Sequence, residues 1–157
     1  MNLRIGQGYD SHALVVGRPL VLGGVFIEHD RGCLGHSDGD ALLHALIDAL
    51  LGALGKGDIG QWFPDHDPSY KGIRSTELLK RVLGDLSLSK FKLGNIDITL
   101  FLNQPKMKNH RQAIAENLGQ LLGMPSERIN LKAKTWEGVP VDQVVAASVT
   151  LLLELED

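Results

Sequence analysis

The chain has a single cysteine, Cys33, in 157 residues. It therefore lacks the pair that an intrachain disulfide or a cysteine-held structural zinc would need, which fits a reducing compartment. Basic charge is also scarce: 16 Lys and Arg stand against 19 Asp and Glu, for a net charge of −3. A dedicated nucleic-acid binder usually carries a clear basic excess. No run of Lys and Arg is longer than a pair, so no polybasic membrane anchor is written into the chain. Long apolar runs are missing as well. Met1 to Gly6 lacks the apolar stretch of a signal peptide. The longest mostly apolar segment, Ala41 to Leu54, carries His44 and Asp48 and is too short to span a bilayer. The expectation is a cytoplasmic protein with neither nucleic acid nor membrane as partner. Its 43% hydrophobic and 22% charged residues are ordinary for a folded chain, and the length suits one domain, residues 1–157. Several phosphate and hydrolase motifs are absent: there is no P-loop, no G-x-G-x-x-G, no G-x-S-x-G and no H-E-x-x-H. Phosphate handling would have to rest on metal ions and helix ends.

What the chain does have is glycine, 18 residues scattered without a period. Between these breaks the apolar pattern predicts a set of elements. Leu3 to His12 reads as a strand, ended by Arg18-Pro19. Leu20 to Leu22 and Val25 to Ile27 flank Gly23-Gly24 as strands around a bulge or tight turn, and Glu28 to Gly32 is a polar turn. Ser37-Asp38 predicts a helix start, followed by residues apolar nearly all round as far as Leu54, which marks a buried helix. Gly55 and Gly57 stop it. Phe63 to Pro68 is a loop. Ser75 to Leu86 and His110 to Leu122 are two further helices, and Leu93 to Leu102, Ile129 to Thr135 and Val144 to Leu155 are strands. The order predicts an α+β fold, a mixed sheet with helices on one face.

Asp10 and His12 are two apart on a strand, so they aim a carboxylate and an imidazole into one space. A solvated polar strand end is the plainer alternative. Asp40, His44 and Asp48 recur every four residues and stack along one helix face. Buried polar groups need partners, since each left unpaired costs about 1–3 kcal/mol. Either His44 is a core histidine satisfied by Asp40 or Asp48, or it is a metal ligand whose far nitrogen Asp48 or a carbonyl orients. Together Asp10, His12 and His44 form a three-ligand set of the kind that leaves catalytic zinc one open position. His36-Ser37-Asp38-Gly39-Asp40 stands over a helix start, where free N–H groups attract anions; plain capping by Ser37 or Asp38 is the alternative. Asp58-Ile59-Gly60 and Phe63 to Pro68 form a long acid-rich, Pro-braced segment, either functional or a solvated Asx-turn loop. Pro105-Lys106-Met107-Lys108 leads from a strand to a helix. Lys132, Lys134 and Trp136 share a strand face, with Thr135 opposite and Glu137 following. Lys, Thr and Glu at a strand end suit a diphosphate and a hard cation, and equally an exposed edge.

Taken in order, Gly8-Tyr9-Asp10-Ser11-His12, His36 to Asp40 with His44 to Gly52, Gly57 to Gly60, Phe63-Pro64-Asp65, Gly94 to Asp97 and Pro105-Lys106-Met107 resemble the 2-C-methyl-D-erythritol 2,4-cyclodiphosphate synthases of the non-mevalonate isoprenoid pathway. The resemblance runs from Arg4 to about Glu137 and through the last strand. It implies a homotrimer with sites built between neighbouring chains. Asp10, His12 and His44 match the zinc ligands, and Glu137 matches the ligand of a second ion, magnesium or manganese. His36 and Ser37 match residues that hold the substrate's 2-phosphate. Asp58, Ile59, Gly60, Phe63 and Asp65 match the methylerythritol pocket. Pro105, Lys106, Met107, Lys108 and Ala133 to Thr135 match the cytidine pocket, presented by the adjacent chain. Asp10, His12 and Glu137 also count among the groups meeting substrate, and His36, Lys134 and Thr135 are the catalytic candidates.

The implied reaction is attack of the 2-phosphate on the β-phosphorus of a cytidine diphosphate ester, with release of CMP. Such chemistry needs positioning and charge stabilisation more than a protein base. The chain departs from the common pattern in two places. Lys134 stands where many members have Thr, and Val139-Pro140-Val141-Asp142-Gln143-Val144 replaces a Gly-rich stretch with an Arg and a Glu-Gly pair. In the family that stretch lines a central cavity able to bind isoprenoid diphosphates, so no cavity ligand follows for this chain. Two other readings remain: a zinc hydrolase that releases phosphate, and a non-catalytic nucleotide-binding trimer. Against the second, all four proposed ion ligands are present.

Overall fold

A computed structural model describes residues 2–85, 90–141 and 143–155. Among the described residues seven strands and four α-helices follow one another as β1 (Leu3–Val16), β2 (Leu20–Leu22), β3 (Val25–Ile27), β4 (Arg31–Cys33), α1 (Ala41–Ala53), α2 (Ile59–Trp62), α3 (Ser75–Leu83), β5 (Phe91–Phe101), α4 (Arg111–Leu122), β6 (Ile129–Lys134) and β7 (Val144–Leu155). Five strands form one sheet in the order β4-β1-β7-β5-β6, and β2 and β3 form a separate hairpin. Only β5 and β6 run parallel within the larger sheet. The architecture is the expected α+β fold with a mixed sheet.

Even-numbered residues of β1 point to the helices and odd-numbered ones away, so Gly6 and Gly8 are buried while Ile5 is 72% and Tyr9 54% exposed. α1 lies directly on this strand. A Cβ at Gly6 would sit 1.9 Å from the Ala49 carbonyl oxygen, and one at Gly8 1.9 Å from that of Ala45. Only glycine lets the helix come that close, and the close approach brings His44 down over Asp10 and His12. Every α1 residue except His44, Asp48 and Gly52 is buried. Its fully buried Leu42, Leu43, Leu46, Ile47, Leu50 and Leu51 are each worth about 1.5–3 kcal/mol, enough to hold the helix against the cost of its polar positions.

Several boundaries differ from expectation for local reasons. β1 runs on to Val16, because β4 pairs with its end, Val16 opposite Arg31 and Leu14 opposite Cys33. The segment read as a polar turn thus contains a short strand, whose Gly32 would place a Cβ 2.1 Å from the Pro19 carbonyl oxygen. α1 begins at Ala41, not at Ser37-Asp38. Gly39 has φ +72°, which no right-handed helix accepts, and the capping side chain is Asp40, which accepts from the Leu43 N–H. The acid-rich segment is not all loop: Asp58 caps the short α2. α3 ends at Leu83; Leu86, where the sequence pattern ends, lies outside the described residues. Gly123, with φ +64°, closes α4 as a left-handed C-cap.

Candidate active site

β1 carries Asp10 and His12 on its helix face, and α1 presents His44 one turn beyond its cap. The Asp10 Oδ2 atom lies 2.7 Å from His12 Nε2 and 3.1 Å from His44 Nδ1, and the two ring nitrogens are 3.3 Å apart. A tetrahedral ion with bonds of about 2.0–2.1 Å has edges of roughly 3.3 Å, so these atoms form one near-complete face of such a site. Among the described residues this is the one group of three His, Cys, Asp or Glu ligand atoms close enough to share an ion. The donor set, two imidazoles and a carboxylate with a fourth direction open to a cavity, fits a divalent metal.

Electrostatics match the geometry. Burial alone would push the Asp10 carboxyl up, but hydrogen bonds from His12 and His44 and the charges on those rings outweigh it and hold it down at about 2. His12 is the reverse: burial favours its neutral form, yet contact with Asp10 raises it above the ordinary imidazole value. The His12 Nδ1–H donates to the Leu34 carbonyl at 2.7 Å, which leaves Nε2 to face the triad.

The polar stripe on α1 resolves into three separate jobs. Asp40, wholly buried, accepts from the backbone N–H groups of Leu43 (2.9 Å), Gly23 (2.9 Å) and Gly24 (2.7 Å). It ties the helix start to the β2–β3 turn, and burial pushes its carboxyl up to about 6 against the pull of those three donors. Asp48 accepts from the Ile59 N–H at 2.7 Å and anchors α2. Neither acid orients His44, contrary to expectation. The far nitrogen of His44, Nε2, faces hydroxyls instead, Ser75 Oγ at 2.9 Å and Ser37 Oγ at 3.1 Å. Ser75 in turn is held by Asp38. Sequence reasoning missed Ser75, because at the start of α3, 31 positions from His44, it reads only as an ordinary helix-initiating residue.

A cavity of about 230 Å³ opens beside the triad. Its walls include Asp10, His12, His36, Ser37 and His44, and across from them Ile59, Gly60, Phe63 and Asp65, all singled out from the sequence. Gly35, Tyr70, Ile73 and Leu78 complete it and were not. Phe63 meets Tyr70 edge to face, with ring centres 5.4 Å apart. The signal for Tyr70 was weak, a single aromatic after a Pro-braced turn. Asp58 lines nothing here; it accepts from the Gln61 N–H at 2.9 Å and caps α2. His36 Nε2 lies 3.4 Å from the Asp67 carbonyl, and Arg18 donates to the Ser37 carbonyl at 3.0 Å. Both brace the turn that presents Ser37.

The remaining candidates gather elsewhere. Pro105, Lys106, Met107 and Lys108 follow β5, with Met107 buried. Ala133 and Lys134 end β6 beside Leu100 and Phe101. The Thr135 hydroxyl donates to Glu137 Oε1 at 2.5 Å, and Glu137 sits at φ +50°. Trp136 stacks on Phe101, and its backbone N–H donates to Asn103. Ala133 pairs with Leu100, Leu100 with Ala147 and Ala147 with Asp10. Ala133 therefore stands three strands from Asp10, roughly 14 Å at the usual strand spacing. Of the divergent stretch 139–144, Asp142 lies outside the described residues.

A mixed-sheet α+β fold whose first strand and central helix hold an Asp-His-His metal centre at the mouth of a cavity defines a class of metal-dependent enzyme. The sequence profile of the YgbB family matches residues 3–154. A chloroplastic 2-C-methyl-D-erythritol 2,4-cyclodiphosphate synthase of Catharanthus roseus is 48% identical over 156 residues, covering 98% of this chain and 66% of that protein. The synthase of Ralstonia pickettii (strain 12J) is 48% identical over 160 residues, covering 99% of this chain and 95% of that one. The chain thus spans about two-thirds of the plant relative and nearly all of the bacterial one. A solved 2C-methyl-D-erythritol-2,4-cyclodiphosphate synthase, in a CDP-bound form, superposes with a TM-score of 0.89 at 45% identity, covering 96% of this chain and 100% of that chain. The chain belongs to the YgbB family, the 2-C-methyl-D-erythritol 2,4-cyclodiphosphate synthases. No helix among the described residues is long and apolar enough to cross a membrane.

Proposed function

We propose that the Asp10–His12–His44 centre serves the family's reaction in this chain, as a metal-dependent phosphorus–oxygen lyase. It converts 4-diphosphocytidyl-2-C-methyl-D-erythritol 2-phosphate to 2-C-methyl-D-erythritol 2,4-cyclodiphosphate and releases CMP. The observation that carries this is the triad, with its ligand atoms within 3.3 Å of one another beside a cavity lined by the expected sugar-pocket residues. The reading takes zinc at the triad, because two imidazoles, one carboxylate and an open position are its catalytic pattern. It takes magnesium or manganese at Glu137, a hard oxygen ligand for a cation on the diphosphate. Ions so held supply Lewis acidity to the β-phosphate and neutralise charge that develops as the phosphoryl group transfers.

The chain's own groups do the rest. Ser37 and His36 hold the 2-phosphate, and the acids nearby do not repel it: Asp38 is turned to Ser75, and Asp40 to the β2–β3 turn. Ile59, Gly60, Phe63 and Asp65 enclose the methylerythritol carbon chain, with Asp58 fixing the start of α2 behind them. Holding the phosphate against the diphosphate makes the attack intramolecular, an orientation effect worth about 7–11 kcal/mol. Pro105 to Lys108 and Ala133 to Thr135 receive the cytidine, and the CDP-bound relative supports a nucleotide in this fold. His36, Lys134 and Thr135 are the residues nearest the transferring phosphates in this reading.

Ala133 stands roughly 14 Å from Asp10 across the sheet, and none of Pro105 to Lys108, Ala133 to Thr135 or Glu137 lines the cavity beside the triad of the same chain. This supports a homotrimer in which Glu137 and the cytidine pocket of one chain complete the triad of its neighbour. The sheet face away from the helices, with Ile5 and Tyr9 exposed, is the surface on which chains would meet. The reading keeps residues 1–157 as a single catalytic domain and places it in the cytoplasm, in keeping with a lone buried Cys33.

Incubation of the purified protein with the cytidine diphosphate substrate and zinc plus magnesium tests the reaction. Phosphorus NMR should show a cyclic diphosphate and CMP. Release of free phosphate would mean a hydrolase, and neither product would mean a binding protein.

A further inference from the structure

Ser75 lies outside everything assigned so far. It is fully buried at the start of α3, and its hydroxyl meets both α1 and the loop before it. Its Oγ stands 2.9 Å from His44 Nε2 and against Asp38 Oδ1, and its backbone N–H donates to Asp38 Oδ2 at 3.0 Å. Asp38 also accepts from the Asp40 N–H at 3.2 Å, so its carboxylate is clamped with acceptor oxygens turned to Ser75.

The hydrogens on the Nε2 side of His44 can be placed one by one. A carboxylate has only lone pairs, so the hydrogen between Asp38 and Ser75 belongs to Ser75. A serine hydroxyl has a single hydrogen. Once that is given to Asp38, Ser75 Oγ can offer His44 only a lone pair. His44 must then carry a hydrogen on Nε2, and its Nδ1, 3.1 Å from Asp10 Oδ2, is left to face that carboxylate: it donates there in the metal-free chain and offers its lone pair once an ion displaces that hydrogen. Ser37 gains from the same arrangement. Its Oγ is 3.1 Å from His44 Nε2, but that N–H is already directed to the nearer Ser75, so the Ser37 hydrogen is free to turn toward a phosphate.

We propose that Asp38 and Ser75 form a positioning relay that fixes His44 in the Nε2–H form, presenting Nδ1 as the metal ligand and sparing the Ser37 hydroxyl for substrate. The inference rests on the metal reading of the triad, and deepens it: it names what sets the tautomer of one ligand. His12 has a backbone carbonyl for this task. His44 has a side-chain pair, Ser75 from α3 and Asp38 from the loop before α1, so the relay forms only when α3 is docked against that loop.

Histidine-selective nitrogen-15 labelling of the metal-free protein reads the tautomer directly, with the His44 signals identified by their loss in His44→Gln. The wild type should show His44 as Nε2–H. Ser75→Ala should erode that preference and weaken cobalt(II) binding, followed by its visible absorption against a competing chelator, by about 10–100-fold. Ser75→Thr keeps a hydroxyl and should retain both signatures. Asp38→Asn frees the Ser75 hydrogen to point at His44, and should shift the ring toward Nδ1–H even if Ser75→Ala fails to fold. A wild-type His44 in the Nδ1–H form would overturn the relay, as would a folded Ser75→Ala with unchanged cobalt affinity. Failure of the wild type to bind cobalt or zinc at all would instead sink the metal reading, while the tautomer measurement still judges the relay.

Discussion

Two groups of site residues behave differently in one chain. Asp10, His12 and His44 come from elements packed face to face, α1 on β1, and their ligand atoms converge to 3.3 Å or less. Glu137 and the Lys106 to Lys108 turn sit at chain segments that leave the ends of β6 and β5, and Glu137 spends its carboxylate on its neighbour Thr135. The first group is built by the core, with Asp10 held down and His12 raised; the second is built by turns and, in the proposed reading, is completed by a second copy. A core-built centre should resist everything except loss of its own groups. A turn-built half-site should depend on a second copy.

The largest break is expected at the triad. His44→Ala removes one of three protein ligands while its apolar neighbours on α1 keep the packing. Activity should fall by roughly three orders of magnitude, the several kcal/mol that a Lewis acid contributes. Metal analysis should find the tight ion gone, and circular dichroism should find the fold intact. Full retention of the metal would end the ligand assignment.

Next in size is Asp40, which holds the scaffold under the triad. Asp40→Ala strips the acceptor from three backbone N–H groups, at about 1–3 kcal/mol each, while relief of a buried charge returns part of that. The expected net loss is about 3 kcal/mol in chemical denaturation. The pH dependence tests the same group. Its folded value, about 6, lies above the unfolded 3.8, so the folded state binds the extra proton between them. Stability of the metal-free chain should therefore fall as pH rises from about 4 to 6, by up to about 3 kcal/mol at full burial. Asp10, held at about 2, acts in the opposite sense: its contribution is present above 3.8 and is lost as pH drops toward 2. Asp40→Asn should flatten the slope between 4 and 6 and leave the acid limb. A slope unchanged by that substitution would mean the buried carboxyl titrates normally.

The same contrast decides what could be read from the sequence alone. Strand alternation and helical spacing are local, so β1, α1, β5 and β7 were legible, and so was the pairing of Asp10 with His12. Helical spacing suggested His44 as their partner, and the family motifs matched all three to the zinc ligands. What decided the finer details was long-range. β4 exists because Leu14 to Val16 are there to pair with it. Asp40 caps α1 because Gly39 adopts a left-handed turn and Gly23 and Gly24 supply two more donors. Ser75 reaches His44 only because α3 packs against α1, and no spacing along the chain records that contact.

Assembly gives an effect of intermediate size. If Asp10, His12 and His44 of one chain act with Glu137 of the next, His44→Ala chains and Glu137→Ala chains should rescue one another once subunits exchange. Every interface of a cyclic trimer is the same head-to-tail contact, so random mixing completes about one site in four. Activity should return to about a quarter of wild type at equal amounts. No recovery, with exchange verified by mass spectrometry, would place all working groups within single chains.

The smallest and sharpest change is Glu137→Gln. Glutamine keeps an oxygen that accepts from the Thr135 hydroxyl, so the turn at φ +50° retains its hydrogen bond and its shape. What disappears is one negative charge. A neutral amide is a weaker ligand for a hard cation than a carboxylate, while the triad, on β1 and α1 of the same chain, does not include Glu137 and keeps all three ligands. The tight metal should therefore stay at wild-type stoichiometry. The magnesium concentration needed for half-maximal rate should rise by up to roughly tenfold, and the rate at saturating magnesium should largely recover. Titrations of magnesium and of manganese at fixed zinc measure this. If the magnesium dependence matches that of the wild type, Glu137 does not hold the second ion, and the turn-built group serves only the nucleotide. If the tight metal is lost as well, the two groups are not independent, and the separation drawn from the sheet geometry fails with them.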